Sequence, residues 1–167
     1  YGTIEEDVMR RDFTVNALYY RFSDGCILDF VGGMDDLIQK KLRSIGDPEA
    51  RFPEDPVRML RAIRFAAKLG LTIDDNISSA IVTHKRLLNE ISGQRLFAEM
   101  IKLYYSGHAA DANRLLLEQG ILSVLIPELD RLKSSASAQH LWQVMADSAD
   151  LRYAKGKKLS VGIYLHV

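Results

Sequence analysis

The stretch RFPEDPVRMLRAIRFAAKLG, residues 51–70, carries acidic and basic side chains at a spacing that suits recognition of a planar polar ligand. In a helix over this stretch, Glu54, Arg58 and Arg61 fall within about 60° of arc, apart from the apolar face that must be buried. Arg64 follows about one turn later. Arginine offers a planar fork that can donate two parallel hydrogen bonds to a base edge or a phosphate. The same charges could instead form a solvated face, where a pair such as Glu54 with Arg58 contributes only ~0.2–0.5 kcal/mol.

Asp55 and Arg58 form a candidate pair for recognition of a nucleobase. Adenine and cytosine both present an amino donor beside a ring-nitrogen acceptor, whereas uracil and guanine invert these groups. Asp55 could accept from the amino group while Arg58 donates to the ring nitrogen. A wrong base would leave buried polar groups unpaired, at ~1–3 kcal/mol each. The pair therefore predicts selection of A and C, with Arg61 and Arg64 placed to reach phosphates. A simpler role is also open, because Glu54 and Asp55 could cap the positive end of the helix.

A second polar cluster, RRDFTVNA, occupies residues 10–17. Arg10 or Arg11 could hold a phosphate, while Asp12 and Asn16 could bind ribose hydroxyls, a metal or the charged helix. The alternative is a charged turn before a strand, in which Asn16 bonds its own backbone.

Two kinds of element must position these clusters. Ala17–Phe22 and Cys26–Val31 are rich in β-formers and flank Ser-Asp-Gly, which predicts a hairpin and the only clear strand pair. Glycines and Pro127 separate the helical patterns that follow, and a boundary is expected within 32–52. The predicted helices cover a short segment from Met34 to Lys41, then 55–69, 75–88, 92–106, 109–119, 121–126, 137–152 and the residues from 158 onward.

Composition sets limits on the class of protein. The 167 residues carry 22 basic and 22 acidic side chains, so no global basic field points to a polyanion. The single cysteine, Cys26, excludes an internal disulfide and fits a reducing compartment. The apolar run at 115–126 is too short and too polar to span a bilayer. These features predict a cytoplasmic protein without a membrane partner.

Four segments in order resemble the class II nucleotidyltransferase family of CCA-adding enzymes and bacterial poly(A) polymerases. They are RRDFTVNA, DFVGGMDDL (29–37), EDPVRMLRAIRFAAKLG (54–70) and ISGQRLFAEMIKL (91–103). The resemblance implies a palm-like head followed by a helical neck and body. It also implies addition of nucleotides to an RNA 3′ end, from ATP in the polymerases. The expected fold is mainly α, with a short β-hairpin remnant of the palm in 1–33 and an all-helical, nucleotide- and RNA-binding neck and body in 34–167.

The resemblance also implies roles for individual residues. Asp12 matches an acid often counted with the catalytic carboxylates. Gly32 and Gly33, with Asp36 and Leu37, match a segment thought to hinge head and neck, and 91–103 matches a helix that braces the nucleotide helix. The candidate nucleotide-binding residues are Arg11, Asn16, Glu54, Asp55, Arg58, Arg61 and Arg64.

One part of the family pattern is absent. A glycine-rich strand-turn followed by Asp-x-Asp, whose carboxylates would hold two Mg²⁺ ions, does not occur before Arg10. The chain starts without Met and stops inside the apolar run LSVGIYLHV, so we expect a fragment of a longer polypeptide. We expect no metal site and no activity in this chain alone, with Mg²⁺ and the substrate ATP used by the full-length parent.

Three functional hypotheses follow. The first hypothesis is a poly(A) polymerase, because the motifs are more similar to those of bacterial poly(A) polymerase I than to those of CCA-adding enzymes. Asp55 and Arg58 do not separate these two, since the pair admits both A and C. The second hypothesis is a CCA-adding tRNA nucleotidyltransferase. The third is a non-catalytic helical RNA-binding module, which the missing Asp-x-Asp motivates.

Two further interactions are expected. The densest basic stretch, RYAKGKK, could contact an RNA backbone through Arg152, Lys155, Lys157 and Lys158, or could be a solvated loop. Exposed hairpin edges could also pair two fragments into a dimer.

Overall fold

The computed structural model describes residues 2–127 and 136–157, and this part of the chain is mainly helical. The α-helices are α1 (Ile4–Arg10), α2 (Gly33–Ile38), α3 (Pro48–Glu54), α4 (Val57–Leu69), α5 (Asp75–His84), α6 (Gly93–Tyr104), α7 (Ala109–Glu118), α8 (Leu122–Leu125) and α9 (Ala136–Ala154). Short 3-10 helices cover Thr14–Asn16 and Lys85–Glu90. The strands are β1 (Tyr19–Arg21), β2 (Cys26–Leu28), β3 (Lys41–Leu42) and β4 (Thr72–Ile73). None of the helices in 2–127 and 136–157 is long and apolar enough to cross a membrane.

Helix α4 confirms the predicted charged helix, with its start two residues later. Pro56 directly precedes it, and Gly70 ends it in the left-handed conformation at φ 62°, which only glycine adopts at no steric cost. The later predicted helices correspond to α5 through α9 within a few residues, except that 85–90 forms a 3-10 helix. The helix predicted from 158 onward lies outside the described residues.

Two helices were not predicted. Helix α1 begins at a capping box, in which Thr3 accepts from the backbone of Glu6 and the Glu6 side chain accepts from the backbone of Thr3. Helix α3 begins where Asp47 caps the backbone of Glu49, with Pro48 at its first position. The expectation that Glu54 caps the charged helix is therefore wrong, because Glu54 is the last residue of α3.

The strands form two separate pairs. The predicted hairpin is confirmed, with β1 and β2 antiparallel and Tyr20 opposite Ile27. The prediction that it is the only pair is wrong, since β3 and β4 run parallel with Lys41 opposite Thr72 and Leu42 opposite Ile73. Two-residue strands are too short to show an alternating pattern, so the sequence gives little sign of them.

One hydrophobic core lies behind the charged face of α4. The opposite face of this helix buries Leu60 and Ile63 completely and packs against α6 and α7. Phe13, which precedes the hairpin, is fully buried in the same core, with its ring 5.8 Å from that of Phe65. Residues on both sides of the expected boundary between 33 and 34 thus share a core, and the two-domain division stays a prediction.

Candidate functional site

A polar cleft of about 380 Å³ lies between the charged face of α4, the end of α1 with the residues after it, and one face of α6. Six cations and three carboxylates line it together with Val57 and Ala98. The charged lining residues are Arg10, Arg11, Asp12, Asp55, Arg58, Arg61, Arg95, Glu99 and Lys102. The excess of positive charge in a concave site suits a polyanionic ligand.

Asp12 is held in this cleft by two arginines of α4. Arg58 Nε donates to one carboxylate oxygen at 3.1 Å, and Arg61 Nε donates to the other at 2.6 Å, with Arg61 Nη2 in an ion pair 2.5 Å from that second oxygen. The Asp12 side chain is only 11% exposed, so the ion pairs are largely removed from solvent. Each carboxylate oxygen of Asp12 therefore accepts a hydrogen bond from one arginine. The predicted catalytic role of Asp12 stays a prediction.

Arg58 is fixed by further partners on its other side. Its Nη1 donates to the backbone oxygen of Arg51 at 2.8 Å and to Glu54 Oε2 at 2.9 Å. Within the described residues Nη2 makes no hydrogen bond, so this nitrogen can donate to a ligand. Glu54 and Arg58 thus form the pair considered for a solvated face, but Arg58 is only 16% exposed and is bonded to Asp12 as well.

Asp55 lies between α3 and α4 and pairs across the cleft with α6. Arg95 Nη2 donates to its two carboxylate oxygens at 3.0 and 3.1 Å. Asp55 and Arg58 therefore lie in the same cleft, as their spacing predicted, but different partners hold them.

Arg64 is not among the residues that line the cleft. Its guanidinium stacks over Phe65, 4.7 Å from the ring centroid, and its Nε lies 3.7 Å from Glu99 Oε2. Burial lowers the pKa of Arg64, and the charge of Glu99 opposes this shift. The other Glu99 oxygen accepts from Lys102 at 2.6 Å. The phosphate-binding role of Arg64 stays a prediction.

Arg11 lines the cleft but is turned toward α1. Its Nη2 donates to Asp7 at 2.7 Å, and its guanidinium lies 5.7 Å from the ring centroid of Tyr19. The Tyr19 hydroxyl also donates to Asp7, and this bond, followed by the one from Arg11, lowers the pKa of Asp7. Asn16 accepts from the backbone of Phe13 at 3.1 Å, which is the local backbone bond considered as its alternative role. Nucleotide binding by Arg11 and Asn16 stays a prediction.

The backbone around Asp12 is paired with the strand-like segment that leads to α3. The Asp12 carbonyl accepts from Ile45 at 3.0 Å, and the Thr14 amide donates to Arg43 at 3.0 Å. Arg51 Nη2 also donates to the Arg11 carbonyl at 2.8 Å. These bonds fix the backbone around Asp12 against residues 43–45 and against α3, the helix that comes just before the one carrying its arginine partners.

The segment DFVGGMDDL folds into the tightly bonded start of α2. Asp29 accepts backbone hydrogen bonds from Val31, Gly32, Gly33 and Met34 at 2.9–3.1 Å. Burial alone would raise the pKa of Asp29, but these four bonds hold it below the usual value.

Asp36 anchors α2 to the residues that follow Asp12. Its side chain is buried and binds Thr14 Oγ1 at 2.5 Å and Arg43 Nε at 3.0 Å.

The remaining candidates lie elsewhere or outside the described residues. Arg152, Lys155 and Lys157 lie at the end of α9 and just beyond it, and they are exposed. Lys158 is outside the described residues, and RNA binding by this group stays a prediction. In 2–127 and 136–157, no three His, Cys, Asp or Glu side chains are arranged to hold a metal ion.

Sequence reasoning missed several charged residues of the cleft. Arg95, Glu99 and Lys102 lie in ISGQRLFAEMIKL, which was interpreted only as a bracing helix. Their spacing of three and four residues was the available signal, since it places them on one face of a helix.

The fold and the charged cleft define a class of protein. The family described as the Poly A polymerase head domain matches residues 1–43, and the family described as the probable RNA and SrmB-binding site of polymerase A matches residues 70–133. The chain therefore belongs to the class II nucleotidyltransferase family of poly(A) polymerases and CCA-adding enzymes.

Individual relatives support both branches of the family. The chain is 48% identical over 131 residues to poly(A) polymerase I of Escherichia coli, which covers 78% of this chain and 28% of that protein. The structure matches that of the Bacillus stearothermophilus CCA-adding enzyme in complex with CTP, with a TM-score of 0.67, 40% identity, and coverage of 72% of this chain and 30% of the other. It also matches a tRNA nucleotidyltransferase complexed with a primer tRNA and an incoming ATP analog, with a TM-score of 0.66, 31% identity, and coverage of 75% and 37%. The chain thus spans roughly a third of the length of these relatives.

Proposed function

We propose that the chain is the nucleotide-recognition and RNA-binding part of an enzyme that adds AMP from ATP to RNA 3′ ends without a template. The observation that carries this proposal is the polar cleft, which brings Asp55, Arg58 and Arg61 together under an excess of positive charge. Residues 1–33 would end the catalytic head, and 34–167 would form the neck and body. Mg²⁺ would be held by carboxylates outside this chain.

The base would be recognised by Asp55 and Arg58. Arg58 is fixed by Asp12, Glu54 and the Arg51 carbonyl, which leaves its Nη2 to donate to the ring nitrogen of A or C. Asp55 would accept from the amino group, because an ionised carboxylate retains acceptor sites beyond those that Arg95 occupies. The cations around the cleft would bind the triphosphate, and Arg61, which stays 31% exposed beside Asp12, would be the contribution of α4 to this binding.

The choice of AMP over CCA addition rests on the relatives. The poly(A) polymerase is 48% identical over 131 residues, while the CCA-adding enzyme seen with CTP is 40% identical over 72% of the chain. CCA addition is the second candidate, because the Asp55 and Arg58 pair would accept cytosine as well as adenine.

RNA would be bound by the helical part of the chain. The family matched at residues 70–133 is described as a probable RNA-binding site, and a relative of similar fold is seen with a primer tRNA. The exposed basic residues Arg152, Lys155, Lys157 and Lys158 are the proposed backbone contacts.

The test is equilibrium binding of ATP, CTP, GTP and UTP to the full-length protein that contains this chain. ATP and CTP should bind at least about tenfold more tightly than GTP and UTP, since each wrong base leaves polar groups unpaired. Arg58→Ala should remove most of this selectivity, while Arg114→Ala, a change in an exposed ion pair outside the cleft, should keep it. Equal affinity for all four nucleotides in the unchanged protein would refute the proposed role.

Transfer to RNA separates the remaining candidates. Incubation of the full-length protein with RNA, Mg²⁺ and each nucleotide should yield tails of A only. Addition limited to C and A on tRNA would identify the CCA-adding activity, and selective binding without transfer would identify a non-catalytic module.

A further inference from the structure

Arg95 makes a contact that its own helix does not explain. It lies in the first turn of α6, where the helix dipole disfavours a cation, and that turn holds no acidic residue. Its N-cap residue, Ser92, makes no side-chain capping bond. A residue that breaks a local rule of helix formation commonly serves a site instead. Arg95 faces the polar cleft, and its partner there is Asp55.

The geometry of the pair constrains the Asp55 carboxylate. A single nitrogen, Arg95 Nη2, lies 3.0 and 3.1 Å from the two oxygens, so it sits between them in front of the carboxylate. This arrangement fixes the rotation of the carboxylate and leaves its outer lone pairs free to accept another donor. The Asp55 side chain is 30% exposed, which leaves it accessible to a ligand in the cleft.

The two halves of the proposed base-recognition pair are held in different ways. Arg58 is 16% exposed and bonds to Asp12, Glu54 and a backbone carbonyl. Among the described residues, Arg95 is the only side chain that hydrogen-bonds to the Asp55 carboxylate, and it is 57% exposed. The direction of Arg58 is thus set by three partners, whereas the direction of Asp55 depends on Arg95.

We propose that Arg95 is a specificity-determining positioning residue, which acts through Asp55 and orients its carboxylate toward the amino group of the base. This inference rests on the proposed function. A hydrogen bond weakens steeply when its angle falls, so an unoriented Asp55 would distinguish an amino group from a carbonyl oxygen poorly. Arg95 therefore controls which base is accepted more than how tightly the phosphates are bound.

A double-mutant cycle in the full-length protein tests the proposal. The variants are Arg95→Ala, Asp55→Asn and the combination, and the readout is the ratio of the GTP and ATP dissociation constants. Arg95→Ala should reduce this ratio about fivefold or more, because Asp55 loses its orientation. Asp55→Asn should also reduce it, and adding Arg95→Ala to Asp55→Asn should change it no further. The matched control is Arg114→Ala, since Arg114 is also 57% exposed and ion-paired but lies outside the cleft.

Each contrary outcome has a distinct meaning. Equal weakening of all four nucleotides by Arg95→Ala, with the ratio unchanged, would show that Arg95 only attracts phosphate and would overturn the inference. A further fall of the ratio in the double variant would also overturn it, because Arg95 would then act without Asp55. A ratio near one in the unchanged protein would overturn the proposed function together with the inference. Unfolding of each variant is followed in parallel, and exposed ion pairs contribute little to stability, so the variants should fold.

Discussion

Asp12 connects the segment before the hairpin to the charged helix. It lies 46 and 49 positions before Arg58 and Arg61, yet both donate to its nearly buried carboxylate. Removal of one member of a buried ion pair is costly because it leaves the other charge without compensation. Two of the three arginines of α4 are therefore held in place by a residue from a distant part of the chain.

Replacement of Asp12 by Ala should lower the free energy of unfolding of the chain by about 2–3 kcal/mol, below the full cost of a buried pair because Arg61 is partly exposed. Urea denaturation measures the change. Asp111→Ala removes one partner of an exposed pair on α7 and should cost less than about 1 kcal/mol. Similar costs for both changes would mean that the Asp12 pairs are worth no more than surface pairs.

The sequence predicted only part of the site at this scale. Helical periodicity predicted Glu54, Arg58 and Arg61 on one side of the charged helix. Asp55 was predicted beside Arg58 because a carboxylate and a guanidinium together can recognise a base edge. The contact between Arg95 and Asp55 was not predictable, because it depends on how α4 and α6 pack and no local pattern records that packing.

Gly33 is required where α2 approaches the 3-10 helix at Thr14–Asn16. A Cβ atom on Gly33 would lie 2.3 Å from the Thr14 carbonyl oxygen. Because this oxygen belongs to the backbone, the backbone itself would have to move to relieve the clash. A larger residue is thus excluded at position 33 by the close approach of two backbone segments, and not by an unusual torsion angle.

Gly33→Ala should therefore destabilise the chain by about 1–3 kcal/mol or more, as overpacking does. Gly93→Ala is the matched control, because a Cβ there meets no atom within 4 Å. At the first position of α6 it should be neutral or stabilising by up to about 1 kcal/mol, since alanine favours a helix. Thermal unfolding compares the two, and a neutral Gly33→Ala would contradict the close approach.

The elements were predictable where periodicity extends over several turns. Helices α4 through α7 satisfy this condition, and Gly70, Gly107 and Gly120 follow the ends of α4, α6 and α7. Helices α1 and α3 were missed although their caps, Thr3 with Glu6 and Asp47 with Pro48, stood in the sequence. Strands β3 and β4 had no such signal, because each contributes two residues and they lie about thirty positions apart.

The hairpin leaves large hydrophobic side chains exposed. Tyr20 and Ile27, which are opposite each other across β1 and β2, are 57% and 53% exposed, and Phe22 is 90% exposed. A two-stranded sheet is marginal in water, and its free edges can pair with another chain.

We therefore expect the purified chain to dimerise through the hairpin, with a mass that rises with concentration in light scattering. Ile27→Lys should restore the monomer, because a charge near a free edge opposes pairing. Val82→Lys places the same charge at a 60% exposed position on α5 and should leave the dimer intact. A monomer at every concentration, or equal effects of the two lysines, would refute this expectation.

The backbone pairing of residues 12–14 with residues 43–45 determines which parts of the molecule can rotate relative to the helices. Bonds from Ile45 to Asp12 and from Thr14 to Arg43 join the chain on both sides of the hairpin, and Asp36 joins α2 to Thr14. The chain thus leaves the helical part before the hairpin and rejoins it after the hairpin at nearly the same place, so that the hairpin forms a flap. A rotation about Gly32 would swing that flap while Asp12, Arg58 and Arg61 kept their mutual distances. Asp55 and its partner Arg95 also belong to the stationary side of such a motion, whereas Arg11, which lies against Tyr19 of β1, links the rim of the cleft to the hairpin.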